Sequence, residues 1–398
     1  MKICYVAPDV SLPHYSGAST HVLELSRALS KLGDEVHVVC RRRAGEPRTE
    51  KIHEITLHRL YRGVFGALPR PRSDSGSISE MRNGLASRLY ELYLRTAYSI
   101  YSGAEASRIV RDLSVDAILE RETAFGAGAV ASWMTNRPML LELIGPRYNR
   151  LSISTSARIV AYSEVMTPLN ARNKTSYVTA AVNPELFHPD PASGRAVREL
   201  YALGDSPVIG YVGTFQSWHG VDDLLGAAKV VLESFPDTKF LLVGPFFQDA
   251  KKEAAKVGIT ESTIFTGPIS YINVPSYINA CDLLVAPYNI SNSSRRSHGI
   301  GSPLKILEYM ACGKATIGSS LPQVESLLQD HSTGLLFPPG DVNALASSMI
   351  ELLRSEELRT ELGRCALEVV RTRYTWITLA AQLRALLVEA LADFAKNS

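Results

Sequence analysis

Apolar runs of strand length alternate with amphipathic helical stretches along almost the whole chain. Residues 3–8 form a continuous apolar run. Val22, Leu25, Leu29 and Leu32 then recur at three- to four-residue spacing and Gly33 follows, which predicts a helix over 19–32 with its stop. Residues 35–40 are the next strand. Strand, glycine-bearing loop, helix and strand make the opening βαβ unit of a doubly wound sheet. Residues 41–83 are rich in Arg, Gly, Pro and Ser around a strand-like 55–60, and 65–81 reads as a flexible loop. A long helix is expected over 85–113, with Leu89, Leu92, Tyr93, Ile100 and Tyr101 packing inward. Strand patterns follow at 117–121, 138–144, 157–163 and 177–181, with a helix of small residues at 124–134. The prolines of 183–191 mark a domain boundary.

The second half alternates more cleanly. Strands are expected at 208–212, 240–243, 263–265, 283–286 and 315–318, and helices at 221–235, 250–257 and 274–280. Residues 341–395 read as helical, broken near Tyr374-Thr375-Trp376. Short crossovers through helices imply parallel strands and right-handed connections. The class is therefore α/β, with two doubly wound Rossmann-like sheets facing a central cleft. The expected domains are 1–185 and 186–375, with 376–398 as a C-terminal helix.

A length of 398 residues fits two domains, since single cores seldom grow past about 250–300 residues. Hydrophobic content of 45% and charged content of 21% belong to a globular protein. No apolar run reaches the ~18 residues of a membrane span. The N-terminus reads as a buried strand and not as a signal peptide, and the five cysteines form no C-x-x-C pair, so a cytoplasmic protein with reduced thiols is expected. The nine histidines show no metal-ligand spacing, and without a G-x-G-x-x-G no nicotinamide or flavin is indicated. Net charge is +2 but uneven: residues 1–185 hold 24 Lys+Arg against 18 Asp+Glu. The cluster from Arg41 to Arg72 is either a solvated face or a surface that attracts phosphate or anionic lipid.

One stretch, 295–313, carries the clearest chemistry. Ser302 is a favoured N-cap, Pro303 suits the first helical position, and Gly313 suits the C-terminal end. Lys305 and Glu308 share one face. A lysine in the first turn opposes the helix dipole by roughly 0.3–1 kcal/mol. An anion at that helix start removes the conflict, with free amides, Lys305 and Arg295 or Arg296 converging on it. Glu308, one turn deeper, can accept from a pair of hydroxyls. The alternative is an ordinary surface helix with a Lys–Glu pair. In the first half, Glu142 sits at the carboxyl end of a strand, where open α/β sheets bind ligands.

These pieces, in order, match a known family. They are Gly17-Ala18 with His21; Glu120-Arg121 with Leu141-Glu142; the run 159–164; Tyr211-Val212-Gly213 with Gly220; Phe265-Thr266-Gly267; and Ser302-Pro303-Leu304-Lys305 with Glu308 and 309–314. The chain resembles the retaining, nucleotide-sugar-dependent glycosyltransferases of the family-four type with the GT-B fold, in their Ser-Pro-Leu-Lys variant. The resemblance implies that the first domain binds the acceptor, that the second binds the donor, and that the C-terminal helix crosses back to pack on the first. Glu308 would hold the ribose, and Lys305 with the amides of Pro303 and Leu304 the diphosphate. The backbone of Gly267, Pro268 and Ile269 would hold the base. Gly213, Thr214, His219, Arg295 and Ser302 would complete the donor site. Gly17, Ala18 and His21 would form an acceptor or phosphate loop, and Glu142 would act in the cleft, although His21 itself is expected to pack against its own helix. Neither metal nor cofactor is implied.

The family often has Arg and Lys where Thr214 and His219 stand, and a sugar-contacting Glu where Ile300 stands. The expected partners are a nucleotide sugar and a glycan, lipid-linked or small-molecule acceptor, with an anionic membrane surface as a further partner and no nucleic acid. The protein would be cytoplasmic, or peripheral at the inner membrane face. The alternatives are a nucleotide-sugar-binding subunit without catalysis and a nucleotide-sugar epimerase.

Overall fold

The computed structural model describes residues 1–13, 17–60, 85–122, 126–145, 148–164, 167–290, 300 and 303–397. Arg295, Arg296, Ser302 and the expected loop over 65–81 lie outside the described residues. The chain divides into two compact units, Met1–Val178 with Trp376–Ser398, and Thr179–Thr375. The division falls at 178/179, where the expected position was 185/186. The last strand of the first sheet ends at Tyr177, and Val182 already bridges Thr375 in the second unit.

The first unit runs β1 (Lys2–Ser11), α1 (Gly17–Lys31), β2 (Glu35–Arg41), β3 (Thr49–Ile52), β4 (Ile55–Leu60), α2 (Leu85–Asp112), β5 (Ala117–Arg121), α3 (Ala127–Thr135), β6 (Met139–Leu143), α4 (Arg150–Thr155), β7 (Arg158–Ala161) and β8 (Thr175–Tyr177). A 3₁₀ segment, Leu169–Lys174, precedes β8. The sheet order is β3-β4-β2-β1-β5-β6-β7-β8. All pairs are parallel except β3 with β4. Neither β3 nor α4 was anticipated: both are short, and α4 is polar apart from Leu151 and Ile153. The last strand lies at Thr175–Tyr177 and not at 177–181, because the following segment leaves for the second unit.

The second unit runs α5 (Pro191–Leu200), β9 (Val208–Val212), α6 (Val221–Ser234), β10 (Lys239–Val243), α7 (Gln248–Val257), β11 (Thr263–Gly267), α8 (Val274–Asn279), β12 (Leu283–Ala286), α9 (Leu304–Ala311), β13 (Ala315–Ser319), α10 (Pro322–Glu325), β14 (Leu335–Phe337), α11 (Val342–Arg354) and α12 (Glu356–Arg373). Its sheet is wholly parallel, ordered β11-β10-β9-β12-β13-β14. Local chemistry explains the helix starts. Asp190 caps α5 by accepting from the amides of Ala192 and Ser193, with Pro191 at the first position. Asp222 and Asp223 sit in the first turn of α6, where the dipole favours acids.

The final helix, α13 (Trp376–Asn397), belongs to the first unit and packs along α1, β6 and β7. Arg384 Nε donates to Asp34 at 3.0 Å, and Arg158 pairs with Asp393. Leu379, Ala380, Leu383, Leu387 and Ala390 are buried at helical spacing. Each buried leucine contributes about 1.5–3 kcal/mol.

Candidate functional site

Strand order locates the site in the second unit. From β9 the chain winds outward through β10 to β11, then returns to place β12 on the other side of β9. That reversal is a topological switch point, where the loops after neighbouring strands diverge and leave a crevice. Gly213, Thr214 and His219 follow β9, Tyr288 follows β12, and Lys305 and Glu308 lie on α9.

Lys305 is buried. Its Nζ donates to the Tyr211 hydroxyl at 3.1 Å and lies over the rings of Tyr211 and Tyr288, 4.3 and 5.0 Å from their centroids. Gly213 makes this approach possible: a Cβ there would come within 2.7 Å of Nζ and 3.0 Å of the Tyr211 hydroxyl. Burial pulls the ammonium down to about 7, against the pull of Glu308. Burial likewise raises the Glu308 carboxyl to about 7, a shift opposed by the Tyr271 hydroxyl, which donates at 3.2 Å, and by Lys305. The site thus holds two groups poised to change charge. An anion near Nζ would restore the lysine's charge, and hydrogen-bond donors would satisfy the carboxylate.

The structure differs from expectation at the start of α9. The helix begins at Leu304, and Pro303 takes the cap position with φ −83° and ψ 65°. Its carbonyl accepts from Ile306 N at 3.0 Å. Proline has no N–H to give a phosphate, so the amides at the helix start are those of Leu304 and Lys305. Cys312 is the C-cap, and Gly313 follows it with φ +66°, a left-handed residue just beyond the helix.

His219 is buried inside its own loop. Its Nδ1 faces the Thr214 carbonyl, with the Tyr211 hydroxyl at 3.1 Å and Thr214 Oγ1 at 3.2 Å. The ring braces the loop between Trp218 and Tyr288, at 3.8 and 5.7 Å. Gly220, at φ +66°, closes the turn: a Cβ there would sit 1.7 Å from the Pro287 carbonyl oxygen. Gly267 ends β11 buried, Pro268 is exposed and Ile269 half-buried. The rings of Phe215, Phe247 and Phe265 gather beside them. Ile300 packs into the apolar core of this unit.

In the first unit, Gly17 and Ala18 open α1 at the surface. His21 does not pack against its own helix. Its Nε2 lies 2.6 Å from Glu142 Oε1, and Trp376 packs edge-on to its ring at 5.1 Å. Glu142 is fully buried and also accepts from Tyr5 at 2.6 Å and Tyr162 at 2.8 Å. Burial alone would raise this carboxyl, but the imidazole and the hydroxyls outweigh it and hold it at about 2. Glu122, the next acid along the edge, accepts from the amides of Ile144 and Gly145 at 3.3 and 2.9 Å, and burial raises it to about 7.

The sequence reading gave no site role to Tyr5, Tyr162, Tyr211, Tyr271 or Tyr288. Their signal was weak: three of them, Tyr211, Tyr271 and Tyr288, stand beside or just beyond strand ends that Gly213, Gly267-Pro268 and Pro287 punctuate.

Two family models match the chain. The Glycosyltransferase Family 4 model covers residues 15–164 and the Glycosyl transferases group 1 model residues 196–369. The chain is 25% identical over 209 residues to the GDP-mannose-dependent alpha-(1-6)-phosphatidylinositol monomannoside mannosyltransferase of Mycobacterium tuberculosis, covering 52% of this chain and 54% of that protein. It thus spans about half the length of that curated relative. It is 24% identical over 387 residues, 96% of each chain, to the N-acetyl-alpha-D-glucosaminyl L-malate synthase of Bacillus anthracis. Among solved structures, Anabaena HepE in complex with UDP and glucose superposes with a TM-score of 0.72 at 16% identity, covering 98% of this chain and 100% of that one, a likeness of fold.

Proposed function

Because the chain belongs to the family-four glycosyltransferases of the GT-B fold, we propose that it moves a hexose-type sugar from a nucleoside diphosphate sugar to an acceptor hydroxyl with retention of anomeric configuration. The observation that carries this reading is the pairing of Lys305 and Glu308 at the switch point of the second sheet, both shifted by burial toward neutrality. Lys305 and the amides at the start of α9 hold the diphosphate and stabilise the charge that develops on it as the sugar leaves. Glu308 holds the ribose. Gly213, Thr214 and the Gly267–Ile269 backbone shape the donor pocket. His219 braces the loop after β9 through its Nδ1 contacts. The reaction needs no metal in this reading, since fixed cations and dipoles take its part.

The acceptor binds the first domain, at the edge carrying Gly17, Ala18, His21 and Glu142. Among glycan, lipid-linked and small-molecule acceptors, a lipid-linked one is favoured by the relatives named for phosphatidylinositol substrates.

Turnover is read as nucleoside diphosphate release from a panel of UDP-, GDP-, ADP- and dTDP-sugars with mixed lipid and glycan acceptors. Lys305→Ala and Glu308→Ala are each expected to lose on the order of 10²–10³-fold, and EDTA to change nothing. Unchanged turnover in both variants would sink the site assignment. Tight nucleotide binding without release on any acceptor would instead identify a binding subunit. Proton NMR of the product anomer tests retention.

A further inference from the structure

The second sheet carries cations at both of its ends. Lys305 stands at the carboxyl ends of the strands. At the amino ends, a pocket of about 270 Å³ is lined by Arg195, Arg198 and Lys314. Lys314 directly precedes β13, and its Nζ donates to the carbonyls of Asn279 and Cys281, ahead of β12, at 2.9 and 2.8 Å. Arg198 of α5 donates to the carbonyls of Ala280, Gly204 and Ser206, ahead of β12 and β9.

Tight main-chain packing forms the pocket. Gly194 lets α5 rest on the end of α8: a Cβ there would come within 2.6 Å of the Asn279 carbonyl oxygen. The Asn279 side chain is tied at both of its atoms, accepting from Asp190 N at 3.0 Å and donating to the carbonyls of His188 and Pro275 at 3.0 and 2.9 Å. Gly313 turns the chain past Pro189, and Gly363 of α12 seats against that turn, where a Cβ would lie 2.2 Å from the Gly313 carbonyl oxygen.

The charges around the pocket do not balance. Asp282 is already paired, accepting from Arg198 at 2.8 Å and from Val208 N at 2.7 Å. Asp190, at the rim, is taken by the amides of Ala192 and Ser193. Cys312, in the wall, is a thiol that burial keeps neutral. Glu199, one turn further along α5, lies outside the lining. Among the described residues Lys314 meets only carbonyls, which cancel none of its charge, and burial pulls its ammonium down. Its third N–H is left over. Arg195, exposed one turn before Arg198, forms no hydrogen bond or ion pair among the described residues. Two cations therefore stand here without a carboxylate.

We propose that this pocket binds the phosphate group of a small anion, either inorganic phosphate or a phosphomonoester. Arg195 and Arg198 offer planar forks of donors, and Lys314 a point charge. The volume lies just under the ~300–1,000 Å³ of sites for drug-sized ligands, as a ligand this small requires. Pro189 and Pro191 supply apolar wall that the carbon chain of an ester would cover. The pocket and the Lys305–Glu308 pair lie at opposite ends of one sheet, so this is a second site, and it does not rest on the transfer reaction.

Inorganic phosphate and glycerol 3-phosphate are titrated separately into the full chain by calorimetry at constant ionic strength. Saturable binding in the millimolar range or tighter is expected, and it should weaken as salt rises. Lys305→Ala should keep this binding while removing any phosphate contact at the other end of the sheet. In that background Arg195→Ala should weaken it about tenfold, the worth of one charged hydrogen bond, and Arg195→Glu should abolish it. Both Arg195 variants should keep the thermal unfolding midpoint in phosphate-free buffer, because that side chain is exposed. Phosphate should raise the midpoint of Lys305→Ala, and no longer do so once Arg195→Glu is added. Tighter binding of glycerol 3-phosphate assigns the pocket to a phosphomonoester, and tighter binding of phosphate to the free anion. No saturable binding of either compound, or undiminished binding in Arg195→Glu, would overturn the proposal. So would binding that Lys305→Ala alone removes, which would place all phosphate at the other end.

Discussion

Glu308 and Glu142 are the same residue type at corresponding places, each near the carboxyl ends of the strands in its own sheet, and burial has opposite outcomes for them. Glu142 is met by an imidazole and two hydroxyls within 2.8 Å and is held at about 2. Among the described residues Glu308 receives one hydroxyl, at 3.2 Å, and it rises to about 7. A buried carboxylate whose acceptor capacity is filled is a finished piece of structure. One that is desolvated and under-filled is costly until a ligand supplies donors. The position at a sheet edge marks both as candidates, and the partners separate them. Glu142 ties His21, Tyr5 and Tyr162 together, and Glu308 keeps acceptor capacity that no described residue fills.

The largest test of that contrast is stability. Glu142→Ala leaves His21, Tyr5 and Tyr162 facing a hole and should cost about 3–5 kcal/mol in guanidinium unfolding. The folded-state carboxyl lies below its ordinary value of 4.5, so its contribution is full above 4.5 and fades as pH falls toward about 2. The variant should lose that acid dependence. Glu308→Ala should leave the unfolding free energy at or above wild type at pH 7. If both variants lost equal stability, the distinction between the two acids would fail.

A second test is the pH profile of donor binding. Lys305 loses its charge as pH rises through about 7, and Glu308 loses its charge as pH falls through about 7. Nucleotide affinity should therefore peak near pH 7 and fall on both sides, with Glu308→Gln flattening the acid limb only. Calorimetric titration with the nucleoside diphosphate reads this directly, and a flat wild-type profile contradicts it. The smallest expected effect is that of Tyr211→Phe. It keeps the ring under Lys305 but removes the hydroxyl that Nζ meets. Nucleotide affinity should weaken about fivefold, the value of one hydrogen bond of about 1 kcal/mol, with little change in turnover at saturation. Loss of turnover without loss of affinity would argue against a positioning role for Tyr211.

The legible part of the molecule was what local pattern determines. The parallel strands, the strand-end loops and the face shared by Lys305 and Glu308 all follow from spacing between near neighbours. Partnerships over long sequence distances were not legible. Nothing near His21 announces that Glu142, 121 residues on, will take its imidazole, or that Trp376 will pack edge-on to its ring. Nor does spacing near Tyr211 announce Lys305, 94 residues away. The start of α9 was misread for a nearer reason: Pro303 satisfies both a cap and a first-turn position, and only backbone geometry chooses between them.

The first domain is discontinuous in the chain, and its last helix, α13, begins with the tryptophan that packs on His21. Order of synthesis therefore reverses the usual order of completion. Residues 179–375 leave the ribosome and can close their own core while the first sheet still lacks its cover along α1. Until residue 376 and the turns after it emerge, one side of the His21–Glu142 pair stands open to water, and Asp34 waits for Arg384. The domain begun first is the one finished last.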